Sequence, residues 1–474
     1  MPSASTIEDK AEHAMSSEDA VIAEHDGVST SKTMPHGDAA GKTLLEIFGT
    51  YGASAVIGDR IIRGQRALRS PQRLGSNAAE DEAVAGSTAR PSNAGKSSQI
   101  DIEQVQGVIA RWDFDAFNFA NTALAQESPL AVVAMAALHH PEYRIFDSHS
   151  IDKKKLQSFL VDAENSYFGF AYHNRIHACD TVQAVHFLMT ECGVHSAGHF
   201  GPLDTLALVL STAIHDVGHP GLNNGYHVAT RDSLAISFHD VSVLENYHAG
   251  IGLQLLSRPR NNFLTDLFPA PRTGQNNKLV AFRRSMVELV LATDLSRHKD
   301  IVAEFKSLCA TECSSSAAAG AASPNNRKPV CKQGTESQMK LMTMKMAIKA
   351  ADISHPTRSF ATHCKFSKAI QQEFFEQGDI ERTRGMKISF LCDRSTATLP
   401  GSQIGFLKFM IMPFFSELAN HLARHGESRA KALLVSNAEA NLAEWERLKR
   451  VEDEDAAANA ADADNSATEA SAAP

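Results

Sequence analysis

Two short stretches repeat histidine at a spacing of four, Tyr172-His173-Asn174-Arg175-Ile176-His177 and His215-Asp216-Val217-Gly218-His219-Pro220-Gly221. On a helix that spacing sets two imidazoles on one side. The apolar row Leu203, Leu206, Ala207, Leu210, Ala213 and Ile214 has helical period and runs straight into His215-Asp216. Gly218 and Pro220-Gly221 then stop that helix. A third acidic group, Asp352, closes another helical pattern that runs from Met339 to Ala351. Nitrogen and carboxylate donors carried to helix ends from three distant segments describe a metal site.

The rest of the chain reads the same way. Helical patterns cover Ile102 to Trp112, Lys154 to Leu160, Ser242 to Leu256, Arg283 to His298, His363 to Gly378, Gln403 to Leu418 and Ala430 to Arg447. Alternating strand segments of useful length and fixed-period repeats are missing, so the expectation is an all-α, compact multi-helix domain. Composition places its limits. Residues 1–98 are polar and rich in Ser, Ala and Gly, and residues 451–474 are mostly Ala, Asp, Glu and Asn. Neither end can bury enough apolar surface to offset its ordering entropy, so both are expected to be disordered. The folded body is residues 99–450, with a flexible insertion at 313–336.

Several function classes drop out. The net charge of -9 and the lack of a basic stripe argue against nucleic-acid binding. No apolar run approaches the roughly 18 residues of a membrane span. The seven cysteines are scattered without a CxxC pair, which suits a reducing compartment, and the first residues carry no secretory pattern. A cytoplasmic protein is expected. Gly37 to Thr43 imitates a phosphate-binding loop but is one residue short, and the arginine row from Arg60 to Arg73 reads as a solvated linker.

Imidazoles with carboxylates make a nitrogen/oxygen site that suits zinc or another first-row divalent ion. An aspartate can bridge to a second ion that keeps several waters, as magnesium prefers. Two ions about 4 Å apart favour in-line displacement at phosphorus, and a spare histidine can protonate the departing oxygen. The residues alone thus point to phosphate-ester hydrolysis.

From about Ile102 to Leu448 the chain resembles the catalytic domain of the class I cyclic nucleotide phosphodiesterases. Seven blocks stand in that family's order. They are Tyr172-His173-Asn174 with His177; His215 to Gly221 with Asn224; Ser242-Val243-Leu244-Glu245-Asn246; Ala292-Thr293-Asp294-Leu295-Ser296-Arg297-His298; Ala351-Asp352-Ile353-Ser354; Glu373 to Asp379; and Gln403-Ile404-Gly405-Phe406. The resemblance implies hydrolysis of cAMP, cGMP or both to 5′-monophosphates by a hydroxide that two metals activate. It implies that His177, His215, Asp216 and Asp352 hold a tight Zn2+, with Asp216 bridging to a second ion, Mg2+ or Mn2+. His173 would be the general acid that protonates O3′. His219, Glu245 and Thr293 would orient His173 or metal-bound waters. Tyr172, Asn224, Ile370, Gln403 and Phe406 would contact the substrate, Gln403 on the purine edge and Phe406 against its face. A homodimer is left open.

Blander readings stand beside these. Phe406 and Ile370 fit plain core positions, Gln403 a helix start and Glu245 a solvated face, while Asp294 and His298 fit a local ion pair. One departure matters: His355 follows Asp352 where many cAMP-selective members of the family carry Asn, so nucleotide preference stays open. Two rivals also stay open, a metal phosphohydrolase acting on nucleoside triphosphates and a catalytically silent nucleotide-binding scaffold.

Overall fold

Every described element is helical, as expected, and no strand occurs among residues 100–269, 276–320 and 333–471, the residues that the computed structural model describes. The readings for residues 1–98 lie outside them. Among the described residues no helix is long and apolar enough to cross a membrane.

Helix α1 (Pro129–Leu138) is apolar all round, so no face of it suits water, and all of its residues are buried. It packs on α2 (Arg175–Thr190), which buries every residue from His177 to Met189. Around α2 stand α3 (Pro202–Ile214) and, beyond it, α4 (Val243–Ser257) and α5 (Asn277–Leu291). Helix α6 (Gln333–Asp352) crosses α2 and brings Asp352 to the centre, while α7 (Phe360–Thr383) follows a short 3-10 turn.

A central helix this buried must satisfy its polar side chains internally. Gln183 donates to the carbonyls of Ile109 and Arg111, both at 2.8 Å, and His186 Nδ1 lies 2.8 Å from the Tyr143 hydroxyl. Asp180 takes a fully buried partner, Arg358, at 3.1 Å. That guanidinium also donates to Gln183 and to the Trp112 carbonyl, and it lies 3.9 Å over the Trp112 ring. Arg358 thereby ties the chain just past Asp352 to α2. Truncating either charge would leave the other buried and unpaired, at a cost of about 3–5 kcal/mol.

Three expectations need correcting. The pattern from Arg283 to His298 is not one helix: α5 stops at Leu291, and the chain turns through Thr293 and Asp294 before another helix starts at His298. Tertiary bonds override local propensity there. Lys349 of α6 donates to the carbonyls of Ala292 and Asp294, and Asp294 accepts from Ser242 Oγ at 2.6 Å instead of pairing with His298. The insertion at 313–336 is helical at both ends, since one helix reaches Gly320 and α6 begins at Gln333; its middle lies outside the described residues.

The last correction concerns the tail. The helix expected from Gln403 to Leu418 is helical throughout, as α8 (Leu399–Phe406), a π turn at Leu407–Ile411 and α9 (Met412–Arg424) in unbroken succession. Helix α10 (Ser436–Ser471) then runs on through most of the stretch from 451 that was expected to be disordered. Ala438 and Trp445 anchor its start in the core, so the costly nucleation step is already met, and alanine then propagates the helix.

Candidate metal centre and base pocket

The two histidine pairs do not sit on helices as their spacing suggests. Asn174 caps α2, accepting from the backbone of Ile176 at 2.7 Å and of His177 at 3.4 Å. His173 therefore precedes the helix and only His177 lies in its first turn. Helix α3 ends at Ile214 with His215 as its cap, and the chain then turns at Gly218, whose φ of 78° favours glycine. His219 lies past that turn. The pairing crosses between segments instead: the inner rings, His177 and His215, meet edge-on at 5.1 Å and 63°, and the outer rings, His173 and His219, stack at 3.8 Å and 14°.

His177, His215, Asp216 and Asp352 bring one donor atom each within 4.8 Å of the others. His177 Nε2 is 3.2 Å from His215 Nε2, 3.2 Å from Asp352 Oδ1 and 3.4 Å from Asp216 Oδ2. His215 Nε2 is 3.1 Å from Asp216 Oδ2 and 3.3 Å from Asp352 Oδ1. Donors bound about 2.0–2.2 Å from one cation stand roughly 3.0–3.6 Å from each other, so the set fits a single divalent ion. His215 Nδ1 donates to the Thr212 carbonyl at 2.9 Å, which leaves the Nε2 lone pair turned inward. Burial disfavours charge on both imidazoles, yet the Asp216 and Asp352 carboxylates outweigh it and raise both above the ordinary histidine value. Protons and a cation compete here for the same lone pairs.

His173 is held by a residue that no spacing pointed to. Glu373, on α7, accepts from the backbone N–H of Tyr172 at 3.0 Å and of His173 at 3.1 Å, and its other oxygen takes His173 Nδ1 in a short bond. Burial opposes the imidazolium, but this carboxylate prevails and raises His173 to about 9. Burial likewise pushes Glu373 up, and His173 outweighs it and brings Glu373 down to about 2. The pair is an imidazolium–carboxylate at neutral pH, with the side chain of His173 one-fifth exposed.

The neighbours of this pair are equally fixed. His219 Nδ1 accepts from the Gly221 backbone at 3.0 Å. His248, not anticipated from the sequence, donates from Nδ1 to the Val217 carbonyl at 2.9 Å and sets Nε2 3.8 Å from Asp216. Its signal was the spacing of three from Glu245 on α4. Glu245 is no solvated face: burial, with Asp294 nearby, raises it to about 7. Asn224, expected on the substrate, is used at both ends by the scaffold, donating to Glu245 at 3.0 Å and accepting from Leu244 N at 2.9 Å. Thr293 is buried and donates to the Val290 carbonyl at 2.8 Å. Lys349, lowered to about 8 by burial, grips the carbonyls on either side of it.

Tyr172 is buried with its ring 4.6 Å from that of His177. Gln403 is buried in the second turn of α8, not at its start, and its Oε1 has no partner. Phe406 and Ile370 are both half-buried, unlike plain core residues.

Known structures share this helical arrangement. The phosphodiesterase domain of the RhoPDE fusion protein from the choanoflagellate Salpingoeca rosetta superposes with a TM-score of 0.60 at 22% identity, covering 75% of this chain and all of that domain. The structure of LmjPDEB1 in complex with IBMX gives 0.60 at 21% identity, over 75% of this chain and 99% of its own. At that identity the likeness concerns the fold. The family model for 3′5′-cyclic nucleotide phosphodiesterase matches residues 172–431, and the chain belongs to that family. Among curated relatives, the rat 3′,5′-cyclic-AMP phosphodiesterase 4C is 32% identical over 65% of this chain and 53% of the relative. The probable 3′,5′-cyclic-AMP phosphodiesterase pde-4 of Caenorhabditis elegans is 30% identical over 65% and 42%. The chain spans about half the length of these relatives.

Proposed function

We propose that this chain hydrolyses 3′,5′-cyclic nucleotides to 5′-nucleoside monophosphates. The observation that carries the reading is an imidazolium, His173, held by Glu373 beside four converging metal donors. His177, His215, Asp216 and Asp352 would hold the tight ion, Zn2+, and a second ion, Mg2+ or Mn2+, would draw on Asp216. When bound, the two cations supply an activated water and offset charge on the phosphoryl group. His173 delivers its proton to the O3′ leaving group, and Glu373 keeps the ring turned for that transfer. His219 stacks on His173 and limits its tilt, while Glu245, neutral for part of the time near pH 7, and Thr293 border the water side. Tyr172, Ile370, Gln403 and Phe406 receive the base, an amide giving direction and a ring giving contact area.

The relatives named as 3′,5′-cyclic-AMP phosphodiesterases support cAMP as the first substrate to test, and His355 keeps cGMP beside it. Thiols rather than disulfides at Cys179, Cys192, Cys364 and Cys392 support a cytoplasmic setting. The test is phosphate-ester hydrolysis by the purified full chain with zinc and magnesium, read by separating the nucleotide products. Cyclic AMP and cyclic GMP are run beside a deoxynucleoside triphosphate. Turnover of the cyclic substrates alone is expected; turnover of the triphosphate alone, or tight cyclic nucleotide binding with no product, would replace this reading.

A further inference from the structure

Lys349 stands about one helical turn before Asp352 on α6 and is 1% exposed. A buried ammonium is costly unless its charge and its protons both find partners. Its Nζ donates to the Ala292 carbonyl at 2.9 Å and to the Asp294 carbonyl at 3.3 Å, the two that flank Thr293. Ala292 is the C-cap of α5, where the open carbonyls of a last turn favour a cation. Burial disfavours the charge on Lys349, and the carboxylates of Asp352, Asp294 and Glu245 oppose that.

The bonds around Thr293 show what the lysine secures. The Thr293 hydroxyl hydrogen goes to the Val290 carbonyl at 2.8 Å, so Oγ1 can only accept a further bond. Asp294 follows it in the chain, and Glu245 is close enough that, after burial, the Asp294 charge acts on it most. Acceptors gathered in this way repel the oxygens of a phosphate and suit the hydrogens of a water that a divalent cation carries. Two other ties hold the same turn: Ser242 Oγ donates to Asp294 at 2.6 Å, and Arg297 donates to the Leu291 carbonyl at 3.1 Å. Of the three, only Lys349 comes from the helix that ends on a metal donor.

We infer that Lys349 is a positioning residue of the metal centre: its ammonium fixes the Ala292–Asp294 turn to α6, so that Thr293 keeps a set place relative to Asp352 and can hold water on the second cation. The inference rests on the two-metal reading above and deepens it. Charge and grip predict opposite outcomes when the lysine is removed. As a charge, Lys349 opposes cations, so its loss would leave the acidic groups less balanced and tighten the second ion. As a grip, it holds the acceptor that steadies that ion's water. Its loss would then weaken the second ion and spare the tight one, whose donors are His177, His215, Asp216 and Asp352.

The test reads metal binding with no nucleotide present. The full chain loaded with zinc is titrated with Mn2+, and free Mn2+ is followed by electron paramagnetic resonance. Lys349→Met keeps an unbranched side chain but neither charge nor donors. Its zinc content should stay at the wild-type level while the Mn2+ dissociation constant rises about ten- to a hundredfold, the usual cost of losing a group that orients a metal's surroundings. Thr293→Val keeps the branched shape without the hydroxyl and should weaken Mn2+ to a similar degree. The double variant should be no weaker than the worse single one, because the lysine acts through Thr293. Tighter or unchanged Mn2+ in Lys349→Met overturns the inference. So does zinc lost along with it, or effects that multiply in the double variant. Should Lys349→Met fail to fold, Lys349→Gln, neutral but still a donor, takes its place with the same outcomes. A wild type that takes up no Mn2+ overturns the inference as well, whereas one that binds both ions and hydrolyses neither cyclic nucleotide defeats the proposed function alone.

Discussion

The metal end and the base end of the site are built on opposite plans. At the metal end the donors belong to helix caps and terminal turns, and three imidazoles are each tied by Nδ1, His215 on Thr212, His248 on Val217 and His173 on Glu373, while His248 Nε2 has no partner. At the base end Gln403 keeps an unpartnered oxygen, Phe406 and Ile370 are half-buried, and a π turn follows at Leu407–Ile411. Such turns often mark functional positions inside helices. The contrast separates two tasks. Groups that handle charge in a dry site are held in one geometry because any slack costs transition-state stabilisation. Groups that recognise a flat heterocycle are left room and free bonding capacity.

The largest effects should come from dismantling the fixed end. His215→Ala or Asp352→Ala should abolish turnover and bound metal together, read by elemental analysis beside an activity assay; full metal content in either would remove that residue from the ligand set. His173→Ala should keep the metal and lose roughly 10²–10⁴-fold in kcat, the usual worth of a general acid. Full activity in that variant would refute its role. At the permissive end Phe406→Ala should raise KM by about five- to a hundredfold with kcat little changed, as loss of base stacking does; a kcat effect larger than the KM effect would blur the division between the two ends.

The smallest expected effect is a shift along the pH axis. His173 is raised above its unfolded value of 6.5 to about 9, so its acid form is present below that and activity should fall as pH rises through about 9. Glu373→Gln removes the charge that raises it, and the alkaline limb should move to lower pH, by about a unit or more. A limb that stays in place would mean that His173 is not the titrating acid. Folding stability follows the same signs. The pair contributes fully between 4.5 and 6.5; the Glu373 share is lost as pH falls toward about 2, and the His173 share as pH rises through about 9.

Much of this site can be read from local sequence, and the reason is where its parts sit. His177, His215 and Asp352 lie beside helix boundaries, and caps, glycines and periodic apolar rows mark such boundaries in the sequence. Glu373 escaped because it lies inside a long helix, 200 residues from His173, and nothing in its own segment names a partner. Its signal was its place at the head of the block Glu373 to Asp379, which the resemblance marked without assigning the residue a role. The break at Thr293 and Asp294 came from Lys349 and Ser242, both far off in sequence. The helical course of the tail was missed for a different reason: its lack of apolar surface was weighed, and the propensity of alanine to extend an anchored helix was not.

Helices α3 and α6 both terminate on the cluster, one at His215 and the other at Asp352. The aligned peptide dipoles of a helix amount to about half a negative charge at its C-terminal end. The first turn of α2, which carries His177, brings about half a positive charge, so the main chain leaves a smaller net negative charge at this spot. A protein stripped of one ligand should therefore still draw cations toward the centre, and millimolar divalent salt should restore to Asp352→Asn part of what the exchange removes.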